Sequence, residues 1–272
     1  MPKAMKTSRT NKYPVKSVVK TLAILEHLGA SANGISLTEM SRQLHIGKST
    51  VHRLLATLRD HDFVWLDANS SRYVLGGKIL QFREQLSRQS ILIRHGEPIL
   101  AALTRKTGET SNLGVIDGRD VVYLIITESM NPLRMTGQVG KRLPAHCTAI
   151  GRSILAGLSR DELLKLYGRT QKLDSYNSKS PSTVQELFNL LRTVRRTGFA
   201  YDNEELYKGV FCLGAPIRNH SGEAMAAVSL SLPSSRADAK NLSRLRSLLL
   251  EAAADLSRQM GYNDSELAET SA

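Results

Sequence analysis

The sequence predicts an α+β protein in two parts, an N-terminal winged helix-turn-helix and a larger C-terminal α/β domain, joined by a linker helix. Three patterns predict it: three short helices, a hairpin directly behind them, and mixed short strands and helices beyond residue 94. The predicted bounds are 1–14 for a basic flexible arm, 15–77 for the winged helix-turn-helix, 78–93 for the linker helix, 94–262 for the second domain and 263–272 for a flexible tail.

The first 60 residues have the spacing of three helices. One helix is predicted over 16–30, and a second opens at Ser36, because Ser36 and Glu39 have the spacing of a capping box. This helix is expected to end near Ile46-Gly47, where glycine can adopt the backbone conformation of a tight turn. The third helix carries one apolar stripe at helical spacing, namely Val51, Leu54, Leu55 and Leu58.

The opposite face of the third helix is polar and basic. Two helices joined by a short turn, the second with such a face at its start, are typical of a helix-turn-helix whose second helix enters the major groove of DNA. Arg53 could donate two hydrogen bonds to guanine, whereas Ser49 and Thr50 suit phosphates or base edges. The candidate DNA contacts on this helix are Lys48, Ser49, Thr50, His52, Arg53 and Thr57.

A strand, a polar turn and a second strand follow at 63–66, 67–71 and 72–75. A hairpin directly behind a recognition helix indicates a wing, and Arg72 stands where a wing can contact DNA. The alternative is a small three-helix domain with a hairpin and a solvated basic face.

Charge is concentrated in the same region. The chain has 272 residues and a net charge of +12, and residues 1–93 hold 14 Lys and Arg against 6 Asp and Glu. This asymmetry favours a polyanionic partner for the N-terminal third, although a basic tail that only improves solubility is the alternative. No apolar run predicts a membrane helix or a secretory signal, and two cysteines are too few for a structural zinc site. We therefore expect a cytoplasmic protein with no membrane association, metal or cofactor.

Beyond residue 94 the sequence mixes both kinds of element. A mainly antiparallel sheet is predicted, since short strands are separated by turns such as Asp117-Gly118 and Ser221-Gly222. The predicted helices cover 95–107, 147–157, 160–167, 183–197 and 236–260, and the predicted strands cover 111–116, 121–127, 133–136, 210–217 and 224–232.

Four segments resemble the IclR family of bacterial transcription regulators: IGKSTVHRLLATL, LPAHCTAIGRSILAGL, GFAYDNEELYKGVFCLGAPI and AVSLSLP, within a similarity that covers about 16–262. The resemblance implies a GAF-like effector-binding domain after the linker, dimers that often pair into tetramers, and repression, sometimes activation, of genes for the catabolism of small carboxylic acids. The segments RMTG, GKRLPAHCTAIGR and YDNEE are most similar to the branch that responds to sugar acids such as 2-keto-3-deoxygluconate. A dimer would read a near-palindromic operator in double-stranded DNA.

The resemblance also implies a set of effector contacts: Met135, Leu143, Ala149, Ile150, Asp202, Val210, Cys212, Ser229 and Ser231. The residues themselves agree in part, because backbone amides at the helix start near 148–151 suit a carboxylate and the two serines share one face of a strand. Asp202 would accept bonds from a ligand hydroxyl. The alternatives are that the serines bond backbone, Cys212 is a small core residue and Asp202 caps a turn. Some relatives have Gly-Ala where this chain has the larger pair Ala149-Ile150. The resemblance therefore does not fix the volume of the pocket.

Two other functions compete with a ligand-responsive regulator. A thiol-dependent enzyme could use Cys147 or Cys212, with His146 and Asp202 as base and orienting group. Adjacent residues such as His146 and Cys147 diverge in a helix or strand, however, and no nucleophile elbow, phosphate loop or metal-binding histidine pair occurs. We therefore predict no catalytic residues. An architectural DNA-binding protein whose second domain binds no small molecule is the other alternative.

Overall fold

The computed structural model describes residues 14–168 and 172–263. The predicted arm (1–14) and tail (263–272) therefore fall, apart from one residue each, outside the described residues. The chain divides into two compact units, residues 1–89 and 90–272. None of the helices in the described ranges combines the length and the apolar character needed to span a membrane.

The N-terminal unit is a winged helix-turn-helix. Its core is formed by buried residues of its first three helices and of the start of the wing, including Ile24, Met40, Val51, Leu55 and Val64. The wing is a two-stranded antiparallel hairpin. The elements are α1 (Lys16–Gly29), α2 (Leu37–Gln43), α3 (Lys48–Asp60), β1 (Val64–Asp67), β2 (Arg72–Leu75) and α4 (Gly77–Gln89).

The capping box at the start of α2 is confirmed. The Glu39 amide donates to the Ser36 hydroxyl oxygen over 3.3 Å, and the Glu39 carboxylate accepts from the Ser36 amide over 3.0 Å. The expectation for the turn was wrong in detail, since His45 takes the left-handed conformation with φ 54° whereas Gly47 has φ −56°. Gly47 instead occupies the N-cap position of α3. An N-cap residue has an extended backbone with negative φ, so this position does not require the left-handed conformation.

The helix predicted over 78–93 is two helices. The first, α4, ends at Gln89, and Ser90 begins the next by accepting a hydrogen bond from the Ile93 amide over 3.3 Å. Ser90 has an extended backbone, with φ −97° and ψ 104°. A serine hydroxyl satisfies the free amides at a helix start, so it favours a new helix over a continuous one.

The C-terminal unit holds a six-stranded sheet in the order β5-β4-β3-β8-β7-β6, with every pairing antiparallel as predicted. Its elements are α5 (Ile91–Thr107), β3 (Thr110–Asp117), β4 (Asp120–Thr127), β5 (Arg142–Pro144), α6 (Ala149–Leu155), α7 (Arg160–Tyr167), α8 (Val184–Thr197), β6 (Ala200–Asn203), β7 (Val210–Arg218), β8 (Ala224–Pro233) and α9 (Ala239–Gln259).

Two hydrophobic cores lie on this sheet. In one, α5 and α9 pack against alternate residues of the central strands, such as Leu113, Leu213 and Leu230. In the other, α6, α7 and α8 pack around Ile150 and Leu187. Because the two cores draw on different helices, the sheet is covered on both faces, and α6 is held over its central strands.

Two strand predictions need correction. No strand forms at 133–136; the connection from β4 to β5 is irregular, and its proline, Pro132, has no amide to donate to a ladder. The strand lies later, at Arg142–Pro144. The edge strand Ala200–Asn203 was not predicted, because its sequence AYDN is short and contains residues that are rare in strands.

Candidate DNA-reading helix and ligand pocket

The candidate DNA contacts of α3 lie on its polar side. Its apolar stripe is turned into the core at Val51, Leu55 and Leu58. Of the predicted residues, Thr50 is half-buried, and the hydroxyl of Thr57 donates to the backbone carbonyl of Arg53 over 3.1 Å. Apart from Thr50, all of them are exposed: Lys48, Ser49, His52, Arg53 and Thr57. The helix thus presents a basic, hydrogen-bonding face that is open to a partner.

Arg72 is engaged within its own domain. Its Nε donates to the carbonyls of Asn33 and Gly34 over 3.1 Å, and its Nη2 lies 2.9 Å from the Glu39 carboxylate. Together with Ser36, Arg72 thus holds the carboxylate that caps α2, and the Ser36 hydrogen bonds lower the pKa of Glu39. The geometry gives Arg72 a bracing role between the wing and α2, and its contact with DNA stays a prediction.

A cavity in the C-terminal unit collects the predicted effector contacts. It holds about 660 Å³ of empty space, part of which is open to solvent. All the predicted residues line it: Met135, Leu143, Ala149, Ile150, Asp202, Val210, Cys212, Ser229 and Ser231.

Sequence reasoning missed other lining residues. Two of them carried a usable signal, because polar residues recur at Thr110 and Asn112 on β3, and these pair in register with Ser231 and Ser229 of β8. The loop residues carried none, since nothing in their spacing shows which way a connection folds. The missed residues are Thr110, Asn112, Tyr123, Ile126, Thr136, Gly137, Gln138, Lys141, Thr148, Leu206 and Tyr207.

One wall of the cavity is a connected polar network across three strands. The amide nitrogen of Asn112 donates to the hydroxyl oxygens of Ser229 and Ser231 over 3.2 and 3.0 Å. The Ser231 hydroxyl also lies 3.3 Å from the Cys212 sulfur. The serines therefore bond side chains, and the backbone-bonded alternative does not describe them. A hydroxyl that accepts from the amide keeps its own hydrogen to donate to a ligand.

A second wall is the start of α6. Thr148 caps it by accepting from the Gly151 amide over 3.1 Å. Among the described residues, the amides of Ala149 and Ile150 have no acceptor, so they are free to donate to a ligand. The close seat of α6 on β7 depends on Gly214, where a Cβ would lie 2.6 Å from the carbonyl carbon and oxygen of Ala149.

Asp202 lies at the buried side of the cavity. Burial raises its pKa to about 7, and the neighbouring Glu205 carboxylate adds to the rise. One carboxylate oxygen accepts from the Glu205 amide over 2.8 Å, so Asp202 also caps a turn. A buried salt bridge holds that turn, because the Arg152 guanidinium donates to the Glu205 carboxylate, with Nη1 and Oε1 2.7 Å apart. Asp202 thus lines the cavity and caps a turn at the same time, and its contact with an effector stays a prediction.

The thiols lack the surroundings of a nucleophile. Burial raises the pKa of both Cys147 and Cys212 to about 12, so each thiol stays protonated near neutrality. His146 donates through its Nε2–H to the carbonyl oxygen of Asp174, 2.9 Å away, and burial lowers the pKa of His146. In the described part of the chain, its Nδ1 has no hydrogen-bond partner. The arrangement needed to activate Cys147 is therefore not assembled.

Comparison with known proteins agrees with this architecture. Residues 17–67 match the model of the IclR helix-turn-helix domain, and residues 84–258 match that of the bacterial transcriptional regulator IclR C-terminal domain. The chain belongs to the IclR family. The HTH-type transcriptional regulator XynR of Escherichia coli is 35% identical over 91% of this chain and 98% of its own length. The E. coli regulator KdgR is 34% identical over 92% and 94%.

A solved member of the IclR family has the same fold. The IclR protein of Thermotoga maritima superposes with a TM-score of 0.80 at 27% identity, over 92% of this chain and all of that one. The predicted fold class and family are thus confirmed. The protein is a DNA-binding transcription regulator and not an enzyme, since its relatives in the family are regulators.

Proposed function

We propose that this regulator is a cytoplasmic repressor of a catabolic operon that senses a small carboxylic acid, of the sugar-acid class, in the C-terminal cavity. The observation that carries the proposal is the cavity itself, which is lined by the start of α6, with its two free amides, and by the serine wall and Asp202. Amides and hydroxyls donate to a carboxylate, and Asp202 can accept from or donate to a ligand hydroxyl. The similarity to KdgR supports the sugar-acid class.

The proposed assembly is a homodimer, with dimers pairing into a tetramer, that reads a near-palindromic operator through two copies of α3. A ligand alters regulation only through different affinities for DNA-competent and incompetent states. We propose that the segment predicted as the linker, 78–93, carries this change between the two units. The proposed assembly is tested by sedimentation with and without operator DNA. A monomer bound to a single half-site would contradict it.

Isothermal titration of the full chain with 2-keto-3-deoxygluconate, D-gluconate, pyruvate and glyoxylate tests the ligand class. At least one acid should bind and shift operator affinity in a gel-mobility assay. If none binds, the cavity does not sense small acids, and the architectural alternative is favoured.

Arg53→Ala should weaken binding to the operator by about 1–3 kcal/mol if Arg53 contacts a base, because its bidentate donors match guanine. The measurement is a fluorescence-anisotropy titration against operator and against scrambled duplex at fixed salt. A selective loss on the operator supports base reading, and an equal loss on both duplexes makes Arg53 a phosphate contact. Arg59→Ala, an exposed arginine in the last turn of α3, is the matched control.

Acid binding should weaken as the pH rises from 6 to 8. Asp202 is protonated below its pKa of about 7 and ionised above it, and the ionised form repels a carboxylate within the same cavity. Asp202→Asn carries no charge at either pH, so its affinity should be flat over this window. Titrations at three pH values check this; an equal pH dependence in the variant would remove Asp202 as the cause.

A further inference from the structure

At the mouth of the cavity lies one charged residue, Lys141, to which the proposed function gives no role. Lys141 ends the irregular connection between β4 and β5 and lines the cavity while its side chain is exposed to solvent. Its backbone is fixed, since its amide donates to the carbonyl of Gln138 over 3.1 Å and its carbonyl accepts from the amide of Tyr123 over 3.2 Å. The base of the side chain is therefore held at the rim while its ammonium group can move.

The charge balance of the cavity makes this residue stand out. Among the described lining residues, Lys141 is the cation and Asp202 the acid. Asp202 is only partly ionised near neutrality because burial raises its pKa to about 7. The amides at the start of α6 contribute partial charges alone, because a peptide N–H group is a dipole and not an ion. A full positive charge that could attract an anion therefore comes from Lys141.

Three arginines within two residues of the cavity lining are paired with carboxylates. Arg152 is paired with Glu205, Arg134 lies 3.3 Å from Glu128, and Arg142 bridges Asp117 and Asp120. In the described chain, no carboxylate lies within salt-bridge distance of Lys141. Its ammonium nitrogen lies 5.4 Å from the centroid of the Tyr207 ring, which also lines the cavity. A cation over an exposed aromatic ring is held weakly, so the ammonium can leave the ring for an anion.

We propose that Lys141 is the residue that selects anionic ligands, resting on Tyr207 in the empty cavity and pairing with the ligand's acid group in the filled one. This inference rests on the proposed function, because it concerns the ligand of the same cavity. It assigns the choice between an acid and a neutral sugar to the rim, whereas the serine wall and Asp202 recognise the polar groups that both kinds of ligand share.

Three substitutions of Lys141 in the full chain test the assignment, with 2-keto-3-deoxygluconate and D-gluconate as probes. Lys141→Met should weaken binding by roughly five- to tenfold, Lys141→Arg should stay within about threefold, and Lys141→Glu should lose the most. Lys208→Met removes an exposed lysine from the loop of Tyr207 without touching the cavity lining, so it should bind as the wild type does.

Salt dependence separates a charge effect from a structural one. Raising NaCl from about 0.05 to 0.5 M should weaken acid binding to the wild type and change Lys141→Met much less, because the ion pair at the rim is screened. If Lys141→Met binds the acids as tightly as the wild type, or loses affinity with an unchanged salt slope, the assignment is overturned while the proposed function stands. If the wild type binds neither acid nor any other in the panel, the proposed function fails, and the assignment fails with it.

Discussion

Arg152→Met should lower the free energy of unfolding of the C-terminal unit by about 3–5 kcal/mol, because it leaves the Glu205 carboxylate buried without a cation. Arg152 is 1% exposed and Glu205 is 6% exposed. Beyond Glu205, the guanidinium donates to the backbone carbonyls of His146 and Tyr201 over 2.9 and 3.0 Å. The same residue thus ties the turn that precedes α6 to β6 and to the turn that Asp202 caps.

The two units can be followed separately in a urea titration. Trp65 is the single tryptophan and lies in the wing, so its fluorescence reports the N-terminal unit, while far-UV circular dichroism reports both. Arg152→Met should shift the dichroism transition and leave the fluorescence transition in place. The double variant Arg152→Met/Glu205→Met removes both charges and should recover much of the loss. A single variant as stable as the wild type would mean that Glu205 is protonated or hydrated without its partner.

The elements that the sequence predicted well are those where one local signal decides. The structure contains the capping box at Ser36, the apolar stripe of α3 and the strands β7 and β8. The observed bounds of these elements lie within about two residues of the predicted ones. Propensity failed where tertiary pairing decides. The strand Ala200–Asn203 forms because it pairs with the edge of β7, where Asp202 lies opposite Cys212. A sequence of four residues carries no signal that predicts this pairing.

The cavity illustrates the same limit. Its predicted contacts came from family resemblance together with a strand alternation, and those two sources agree at Ser229 and Ser231. Asn112 could have been found by the same alternation on β3, whereas Lys141 and Tyr207 lie in connections whose course depends on the whole sheet. Buried charge was missed for a related reason: Arg152 and Glu205 are 53 residues apart in sequence, and each taken alone suggests an exposed surface.

Gly214→Ala should reduce acid binding by at least about tenfold and destabilise the C-terminal unit by about 1–3 kcal/mol. The new methyl group would lie 2.6 Å from the Ala149 carbonyl, so α6 must move away from β7 or the strand must bend. Either shift displaces the free amides of Ala149 and Ile150 from the serine wall, which is anchored to the sheet through Asn112.

Titration calorimetry and the two-probe urea experiment measure both effects of Gly214→Ala, and operator binding without ligand should be unchanged. Gly29→Ala is the matched control for the change of residue type: Gly29 lies in helix α1, and a Cβ there would meet its nearest atom, Cδ1 of Leu75, at an ordinary contact distance of 3.7 Å, so stability should hold or rise slightly. If Gly214→Ala binds the acid normally, the start of α6 does not hold the carboxylate, and the ligand must be anchored by the serine wall and the rim instead.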